Sequence, residues 1–295
     1  MMARGLPPGR APDFWNIDGQ EHVSWLHDSF VAVGADIILT NTFGSNSCRL
    51  RLDKAEERTY ELNFEGAKLA RAAANRSNRK VVVAGSIGPT GEMIEPFGDL
   101  TIDAAENAFY EQAKALADGG VDIIWIETIF AFDELAAAIR AGLQTNLPVV
   151  STMTFDTVGR TMMGDTPEKA LDFVNTFEPR LAAFGANCGA GPAMLVESLV
   201  GLCDAADNDD IIIAKGNCGI PQMVDGAVVY SGTNEVMMDY ARLARDCGAK
   251  IIGGCCGTTP ERLEAIVAAL DGYTPRLAPS QKEIIAALGP IKGPV

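Results

Sequence analysis

Four cysteines stand directly after short apolar runs, where their thiols could do chemistry. They are Cys188 in "GANCGAGP", Cys218 in "KGNCGIPQ", and the adjacent pair Cys255 and Cys256 in "GGCCGTTP". Three thiolates that meet at one point form a soft, negatively charged ligand set that suits zinc, and three protein ligands leave a fourth position open. A substrate thiol that takes this open position would be held as a thiolate at neutral pH.

The adjacent pair also has two plainer interpretations. Cys255 and Cys256 could be inert core residues, or they could form a strained disulfide with each other. A third cysteine at another predicted strand end favours a metal site, and so do the flanking glycines, which allow a close backbone approach. The remaining cysteines fall in predicted loops or helices and are interpreted as small apolar residues: Cys48, Cys203 and Cys247.

Glu127 is the second residue type of interest, because it ends the apolar run "VDIIWIE" at 121–127. A carboxylate there binds either a cation such as a substrate ammonium or a buried arginine, and its place at a strand end favours the substrate. The loop "GSIGPTGE" offers backbone amides that could hold a carboxylate, but it lacks the spacing of a nucleotide-binding loop. His22 and His27 are five residues apart, which does not fit a zinc pair on one helix face, so we interpret them as surface or packing residues.

The elements that must position these residues alternate between strand and helix. Seven short Val/Ile-rich runs predict strands at 35–41, 80–86, 121–127, 147–153, 180–187, 210–217 and 249–255. Helices are predicted at 21–33, 54–76, 102–118, 132–145, 166–177, 192–206, 234–247 and 260–270. This order predicts a parallel α/β fold, a (βα)8 TIM barrel that lacks its first strand at the N-terminus. We expect one barrel domain over residues 1–270 and a C-terminal extension over 271–295 with a short helix in "SQKEIIAALG".

Composition excludes several classes of partner. The net charge of −15 argues against nucleic acid, whose phosphates need clustered Lys and Arg. No run of about 18 apolar residues occurs, so a membrane partner is not expected. Seven cysteines without a secretory signal predict a reducing, cytoplasmic setting.

The motifs "TNTFGSN", "GSIGPTGE", "IETI", "TFDTVGRTMMG", "GANCGAGP" and "GGCCGTTPERL", in this order, resemble the zinc-dependent homocysteine S-methyltransferase family over about residues 5–270. That family includes betaine–homocysteine methyltransferases and the homocysteine module of cobalamin-dependent methionine synthase. The resemblance implies a (βα)8 barrel with Cys188, Cys255 and Cys256 as Zn²⁺ ligands. It further implies that Glu127 binds the amino group of homocysteine, that Asn217 lies near the open metal position, and that Thr40 and Phe43 line the pocket beneath the methyl donor.

The implied reaction is methyl transfer to the thiol of L-homocysteine, which gives methionine. The donor is expected to be glycine betaine or a related onium compound, for which the available aromatic walls are Trp15, Phe43, Trp125, Phe130 and Phe155. Three alternatives stay open. They are a methyl-corrinoid or methylfolate partner as donor, another thiol as acceptor, and a non-catalytic zinc- or thiol-binding truncated barrel.

Two departures from the family pattern are expected to matter. Family members begin with a strand that ends in Asp-Gly, and this sequence starts after it, which suggests a shortened N-terminus. Cys218 stands where the family has a small apolar residue, so it is either a silent substitute or a fourth thiolate that closes the site. The oligomeric state is left open, and a homo-oligomer with a dimer contact through the tail 271–295 is compatible with the sequence.

Overall fold

The computed structural model describes residues 1, 4–7, 9–156, 159–224 and 227–291, and for 221–224, 227 and 228 it describes the backbone alone. The strands in this part of the chain are β1 (Ile37–Leu39), β2 (Val82–Ile87), β3 (Ile123–Ile129), β4 (Val149–Met153), β5 (Ala183–Cys188), β6 (Ile212–Gly216), β7 (Pro221–Val224), β8 (Ala227–Tyr230) and β9 (Ile251–Gly254). The α-helices are α1 (Trp15–Asp18), α2 (Gln20–Ala32), α3 (Ser47–Leu50), α4 (Thr59–Arg76), α5 (Ile102–Asp118), α6 (Phe132–Leu143), α7 (Pro167–Val174), α8 (Pro192–Ala205), α9 (Asn234–Cys247), α10 (Pro260–Leu270) and α11 (Gln281–Leu288).

Within the described ranges, seven strands form one parallel sheet in chain order: β1 to β6 followed by β9. All seven were predicted, and their ends differ from the prediction by only a few residues. Seven parallel strands that alternate with helices are one fewer than the eight of a (βα)8 barrel. The predicted fold class, a TIM barrel that lacks one strand, is therefore confirmed. None of the helices described is both long and apolar enough to cross a membrane.

The chain divides into two compact units, Met1–Val150 and Ser151–Val295. In the first unit β1, β2 and β3 are parallel neighbours, with Ile38 opposite Val83 and Gly85 opposite Ile124. Helices α4 and α5 pack on β2, and this strand is buried over most of its length. The expectation of a single barrel domain over residues 1–270 stays a prediction.

In the second unit β5, β6 and β9 are parallel neighbours. Gly185 on β5 lies so close to β6 that a Cβ there would come within 2.0 Å of the carbonyl oxygen of Ile213, so this position requires glycine. Tyr240 on α9 fixes the ends of two strands with one hydroxyl. This hydroxyl accepts a hydrogen bond from the Gly216 N–H at 2.8 Å and donates one to the Gly253 carbonyl at 3.1 Å.

An antiparallel hairpin, β7–β8, follows β6 and was not predicted. Its register places Pro221 opposite Tyr230 and Val224 opposite Ala227. The sequence does contain a signal for it, because Asp-Gly at 225–226 is typical of a two-residue hairpin turn.

The helix predicted in the C-terminal extension is α11, which packs on α8 and α9 of the same chain. Ile284 on its inner side is fully buried. Asp246 at the end of α9 holds the segment before α11, since its carboxylate accepts hydrogen bonds from the Tyr273 hydroxyl at 3.0 Å and the Arg276 N–H at 2.7 Å. The extension is thus joined to the rest of the second unit by apolar packing on Ile284 and by hydrogen bonds to the carboxylate of Asp246.

Candidate metal centre and substrate-binding residues

Three cysteines meet in the second unit. Cys188 ends β5, and Cys255 and Cys256 directly follow β9. Their sulfur atoms all lie within 4.8 Å of one another, and no other group of metal-ligand side chains of this kind occurs among the residues that the structure describes. The sulfurs of Cys188 and Cys256 are 3.8 Å apart. Tetrahedral ligands at about 2.3 Å from zinc stand about 3.8 Å apart, so the donor set and its spacing fit zinc.

The backbone around the cysteines is held in unusual conformations. Cys188 has φ 63°, in the left-handed region that costs a non-glycine residue free energy. The N–H of Cys255 donates to the Gly216 carbonyl at 2.7 Å, which continues the β6–β9 pairing just past the strand end. Gly216 is also the register partner of Cys188 on β5, so the end of β6 contacts the backbone of both cysteine-bearing segments.

Asn217, predicted to lie near the metal, connects the two cysteine-bearing loops. Its side chain is 3% exposed. The Nδ2 group donates to the Gly189 carbonyl at 2.8 Å, and the Oδ1 atom accepts from the Cys256 N–H at 3.1 Å. The side chain thus braces both loops, and its role toward substrate stays a prediction.

Two further polar residues of the second unit lie near the cysteines and were not predicted from the sequence. Asn187 is fully buried; it accepts a hydrogen bond from the Thr152 hydroxyl at 2.7 Å and directs its Nδ2 group at the Cys255 sulfur at 3.7 Å. Lys215 on β6 is 8% exposed, and its ammonium acts to lower the pKa of Cys255. A polar residue inside an otherwise apolar strand was the available signal for both.

Two of the three thiols in the cluster, Cys188 and Cys255, have a raised pKa. The hydrogen bonds with Cys255 and Cys256 raise the pKa of Cys188, and burial adds to the shift. For Cys255 the bond with Cys188 acts to lower the pKa, but the bond with Cys256 and burial outweigh it and raise the value. A metal ion that binds here must therefore displace protons.

The other four cysteines lie outside this cluster. Cys218 is fully buried, and its thiol donates to the Gly232 carbonyl at 3.4 Å. Of its two interpretations, this contact favours the silent substitute over the fourth thiolate. Burial raises the pKa of Cys203 to about 11 and that of Cys247 to about 12, so both stay protonated near neutral pH.

Glu127, predicted to bind the substrate amino group, belongs to a buried polar cluster in the first unit. It lies on β3 with 6% exposure, and its Oε1 accepts a hydrogen bond from the Ser86 hydroxyl at 2.5 Å. The Ser86 N–H in turn donates to the Thr40 hydroxyl at 2.9 Å. Thr40 and Thr42 share a further hydrogen bond of 2.6 Å between their hydroxyls. Thr40 therefore positions the end of β2, which carries the Ser86 donor of Glu127. The side chain of Thr40 is itself buried.

Phe43, predicted to line the donor pocket, is 39% exposed on the loop after β1. Gly88 lies beneath its ring, where a Cβ would come within 2.6 Å. The loop is held by Asp13, which was not predicted and which accepts hydrogen bonds from the Gly44 N–H at 3.0 Å and the Ser45 hydroxyl at 2.7 Å. Burial raises the pKa of Asp13. Asp13 is far from this loop in the sequence, so no local sequence pattern indicated the contact.

The loop "GSIGPTGE" binds a carboxylate of its own chain. Thr90 donates to Glu134 from its N–H at 2.8 Å and from its hydroxyl at 2.6 Å. Burial raises the pKa of Glu134. The amides of this loop were expected to be able to hold a carboxylate, and at Thr90 this carboxylate is Glu134.

Most of the aromatic residues proposed for an onium donor are buried. Trp15, Trp125 and Phe155 are 8%, 1% and 3% exposed, whereas Phe43 and Phe130 keep part of their surface accessible. Trp15 packs with Leu6 and Val23, and its ring centroid lies 4.4 Å from that of His22. Its place near the donor stays a prediction.

The two histidines were predicted to be surface or packing residues. His22 contacts the ring of Trp15, and His27 is 3% exposed on α2. Burial lowers the pKa of His27 to about 4, so its imidazole is neutral at pH 7.

Comparisons with known proteins agree with this geometry. The model of the family "Homocysteine S-methyltransferase" matches residues 6–270. The metallated form of the homocysteine methyltransferase MmuM from Escherichia coli is similar at 20% identity with a TM-score of 0.76, over 90% of this chain and 91% of that chain. Its oxidized form gives 21% identity and a TM-score of 0.76 over the same shares. These structures support the fold, and the family match spans nearly the whole chain. The chain belongs to the homocysteine S-methyltransferase family and is a methyltransferase.

Proposed function

We propose that the enzyme transfers a methyl group to the thiol of L-homocysteine to give methionine, with zinc held by Cys188, Cys255 and Cys256. The observation that carries this proposal is the approach of the three sulfur atoms to within 4.8 Å of one another. When bound, zinc would supply a Lewis acid that keeps the substrate sulfur as a thiolate at neutral pH. The metallated form of the similar enzyme MmuM agrees with a metal requirement.

The chain's own residues would bind and orient the amino acid part of the substrate. We assign the ammonium of homocysteine to Glu127, whose carboxylate is buried and therefore interacts strongly with a cation. The short bond from Ser86 fixes one oxygen of this carboxylate. Thr40 holds Ser86 in place, because its hydroxyl accepts a hydrogen bond from the backbone N–H of Ser86.

No protein base is needed in this scheme. A substrate sulfur that is already a thiolate needs only alignment with the methyl carbon and its leaving group. His27 is buried and neutral, and His22 contacts the ring of Trp15. The chemical step in this scheme is nucleophilic attack by the substrate sulfur.

For the donor we propose glycine betaine or a related onium compound. Phe43 supports this choice, because its ring is partly exposed on a loop that Asp13 holds in place. An aromatic face attracts an onium cation by about 0.5–2 kcal/mol. With Trp15, Trp125 and Phe155 buried, Phe43 and Phe130 would supply this face. We place the enzyme in the cytoplasm, since all seven cysteines are free thiols.

The proposal is tested by measuring zinc content and methionine formation from homocysteine, with glycine betaine, a sulfonium compound and methylcobalamin offered in turn as donors. We expect about one zinc per chain and turnover with an onium donor. Cys256→Ala should lose zinc and activity together. Cys203→Ala is the matched control, because it removes a partly buried thiol outside the cluster. Turnover in wild-type protein freed of zinc would refute the metal role, and turnover with methylcobalamin alone would refute the onium donor.

A further inference from the structure

Two pairs of side chains connect the end of β5 with the segment that follows β9. The sulfurs of Cys188 and Cys256 are 3.8 Å apart, and the Nδ2 atom of Asn187 lies 3.7 Å from the sulfur of Cys255. Two consecutive residues of β5 thus meet two consecutive cysteines in matching order. Asn187 is not a ligand in the proposed metal centre, so its contact with Cys255 needs an explanation of its own.

The backbone at Cys188 allows both neighbours to face the cysteine pair. In an extended strand, consecutive side chains point to opposite faces of the sheet. Cys188 has φ 63°, which is far from the extended conformation. The chain therefore turns at Cys188, and the side chains of both Asn187 and Cys188 reach the adjacent cysteines after β9.

The amide of Asn187 is oriented by Thr152 on β4. The Thr152 hydroxyl donates to the Oδ1 atom of Asn187 at 2.7 Å, and both side chains are fully buried. With Oδ1 bonded to this hydroxyl, the amide directs its Nδ2 group, which can only donate, at the Cys255 sulfur. The opposite orientation would place the lone pairs of an oxygen against this sulfur.

We infer that Asn187 is a positioning residue of the cysteine centre, which donates an N–H···S hydrogen bond to Cys255 and is itself oriented by Thr152. The inference rests on the proposed metal function. The bond restricts the side-chain rotamer of Cys255 and withdraws negative charge from a sulfur that would share one metal ion with two other thiolates. Hydrogen-bonding partners of metal ligands typically contribute 10–100-fold in metal affinity.

Two substitutions test this role at different distances from the sulfur. Asn187→Leu removes the donor at a similar side-chain volume, and Thr152→Val removes only the hydroxyl that orients the amide. Zinc affinity is measured at fixed pH by competition with a chromogenic chelator, and the thiolate-to-metal charge-transfer band is recorded after substitution with Co²⁺. We expect Asn187→Leu to bind zinc 10–100-fold more weakly and to shift this band to lower energy.

Thr152→Val should change the affinity and the band in the same direction by a smaller amount. The double variant should bind zinc no more weakly than Asn187→Leu does, because Thr152 acts through Asn187. Thr161→Val is the matched control, since Thr161 is also fully buried in the second unit but its hydroxyl accepts from the Asp165 N–H at 3.1 Å. It should keep the wild-type zinc affinity and the wild-type band.

Wild-type zinc affinity and an unshifted band in Asn187→Leu would overturn the inference. Weaker binding with an unshifted band, or an equal loss in Thr161→Val, would also overturn it and leave Asn187 as a packing residue. If Asn187→Leu does not fold, Thr152→Val decides by the same two measurements. Failure of the wild-type protein to bind zinc or Co²⁺ would overturn the proposed metal centre itself, so the wild-type titration distinguishes the two failures.

Discussion

Asn217→Ala tests whether the geometry of the metal centre depends on the amide that connects its two loops. The substitution removes two hydrogen bonds, one to the Gly189 carbonyl and one from the Cys256 N–H, at a side chain that is 3% exposed. Each neutral hydrogen bond contributes about 1 kcal/mol net, so the loss is about 2 kcal/mol in the free energy of unfolding. The loops that carry Cys188 and Cys256 would then need to be ordered when the metal binds. If this ordering takes the whole 2 kcal/mol, zinc affinity falls about 30-fold.

The assay has two parts, urea unfolding of metal-free protein and zinc competition with a chromogenic chelator. Asn63→Ala is the control, because Asn63 is also buried; its Nδ2 group donates to the carbonyls of Ser45 and Thr59, and its Oδ1 atom accepts from Gln112. It loses three hydrogen bonds, so it should lower the free energy of unfolding at least as much as Asn217→Ala does and leave zinc affinity unchanged. If Asn217→Ala is destabilised but binds zinc as tightly as wild type does, the bracing role of Asn217 is refuted. If both variants lose zinc equally, the effect reflects global stability.

Three other outcomes are expected. Ser86→Ala removes the hydroxyl that donates to the buried carboxylate of Glu127 at 2.5 Å, and the loss of this hydrogen bond costs about 2 kcal/mol in substrate binding. In steady-state assays it should raise the KM for homocysteine about 30-fold with little change in kcat. An unchanged KM would exclude Ser86 from orienting Glu127. Zinc affinity, measured by chelator competition, should fall at least tenfold for each pH unit between pH 8 and pH 6, because thiols such as Cys188 with a raised pKa must release protons to bind metal. A zinc affinity that does not change over this pH range would contradict this expectation. Burial lowers the pKa of His27 from 6.5 to about 4, so its contribution to stability is complete above pH 6.5 and is lost as pH falls to about 4. Urea titrations should show a decrease of about 3 kcal/mol across this window that is missing in His27→Leu.

The parallel fold and the cysteine cluster could be predicted because both follow from local pattern. Val/Ile-rich runs predict buried parallel strands, and the carboxyl ends of neighbouring parallel strands lie at the same edge of the sheet. Cys188 and Cys255 stand at such ends, on β5 and just after β9, with β6 between them. Their approach was therefore implied by the element order.

The residues that complete the sites were missed because their contacts join distant parts of the sequence. Asp13 holds a loop about 31 residues away, and Glu134 binds Thr90 at a separation of 44 residues. No periodicity marks such a pair, since each carboxylate looks like a helix-start or surface residue in its own segment. The contact of Trp15 with His22 was missed for a related reason, because sequence alone does not separate an aromatic ring that packs on a neighbouring side chain from one that faces a ligand.

The adjacent cysteines raise a geometric question that the strand boundary answers. Consecutive side chains of a β-strand point to opposite faces of the sheet, so two neighbouring cysteines inside β9 could not both reach one metal ion. The strand ends at Gly254, and the Thr258 N–H donates to the Cys255 carbonyl at 3.2 Å, which closes a turn around the pair. This turn places both sulfurs on one side. The glycines on either side of Cys255 and Cys256 are therefore needed for the metal centre, because they allow the strand to end and the chain to turn where two ligands are required.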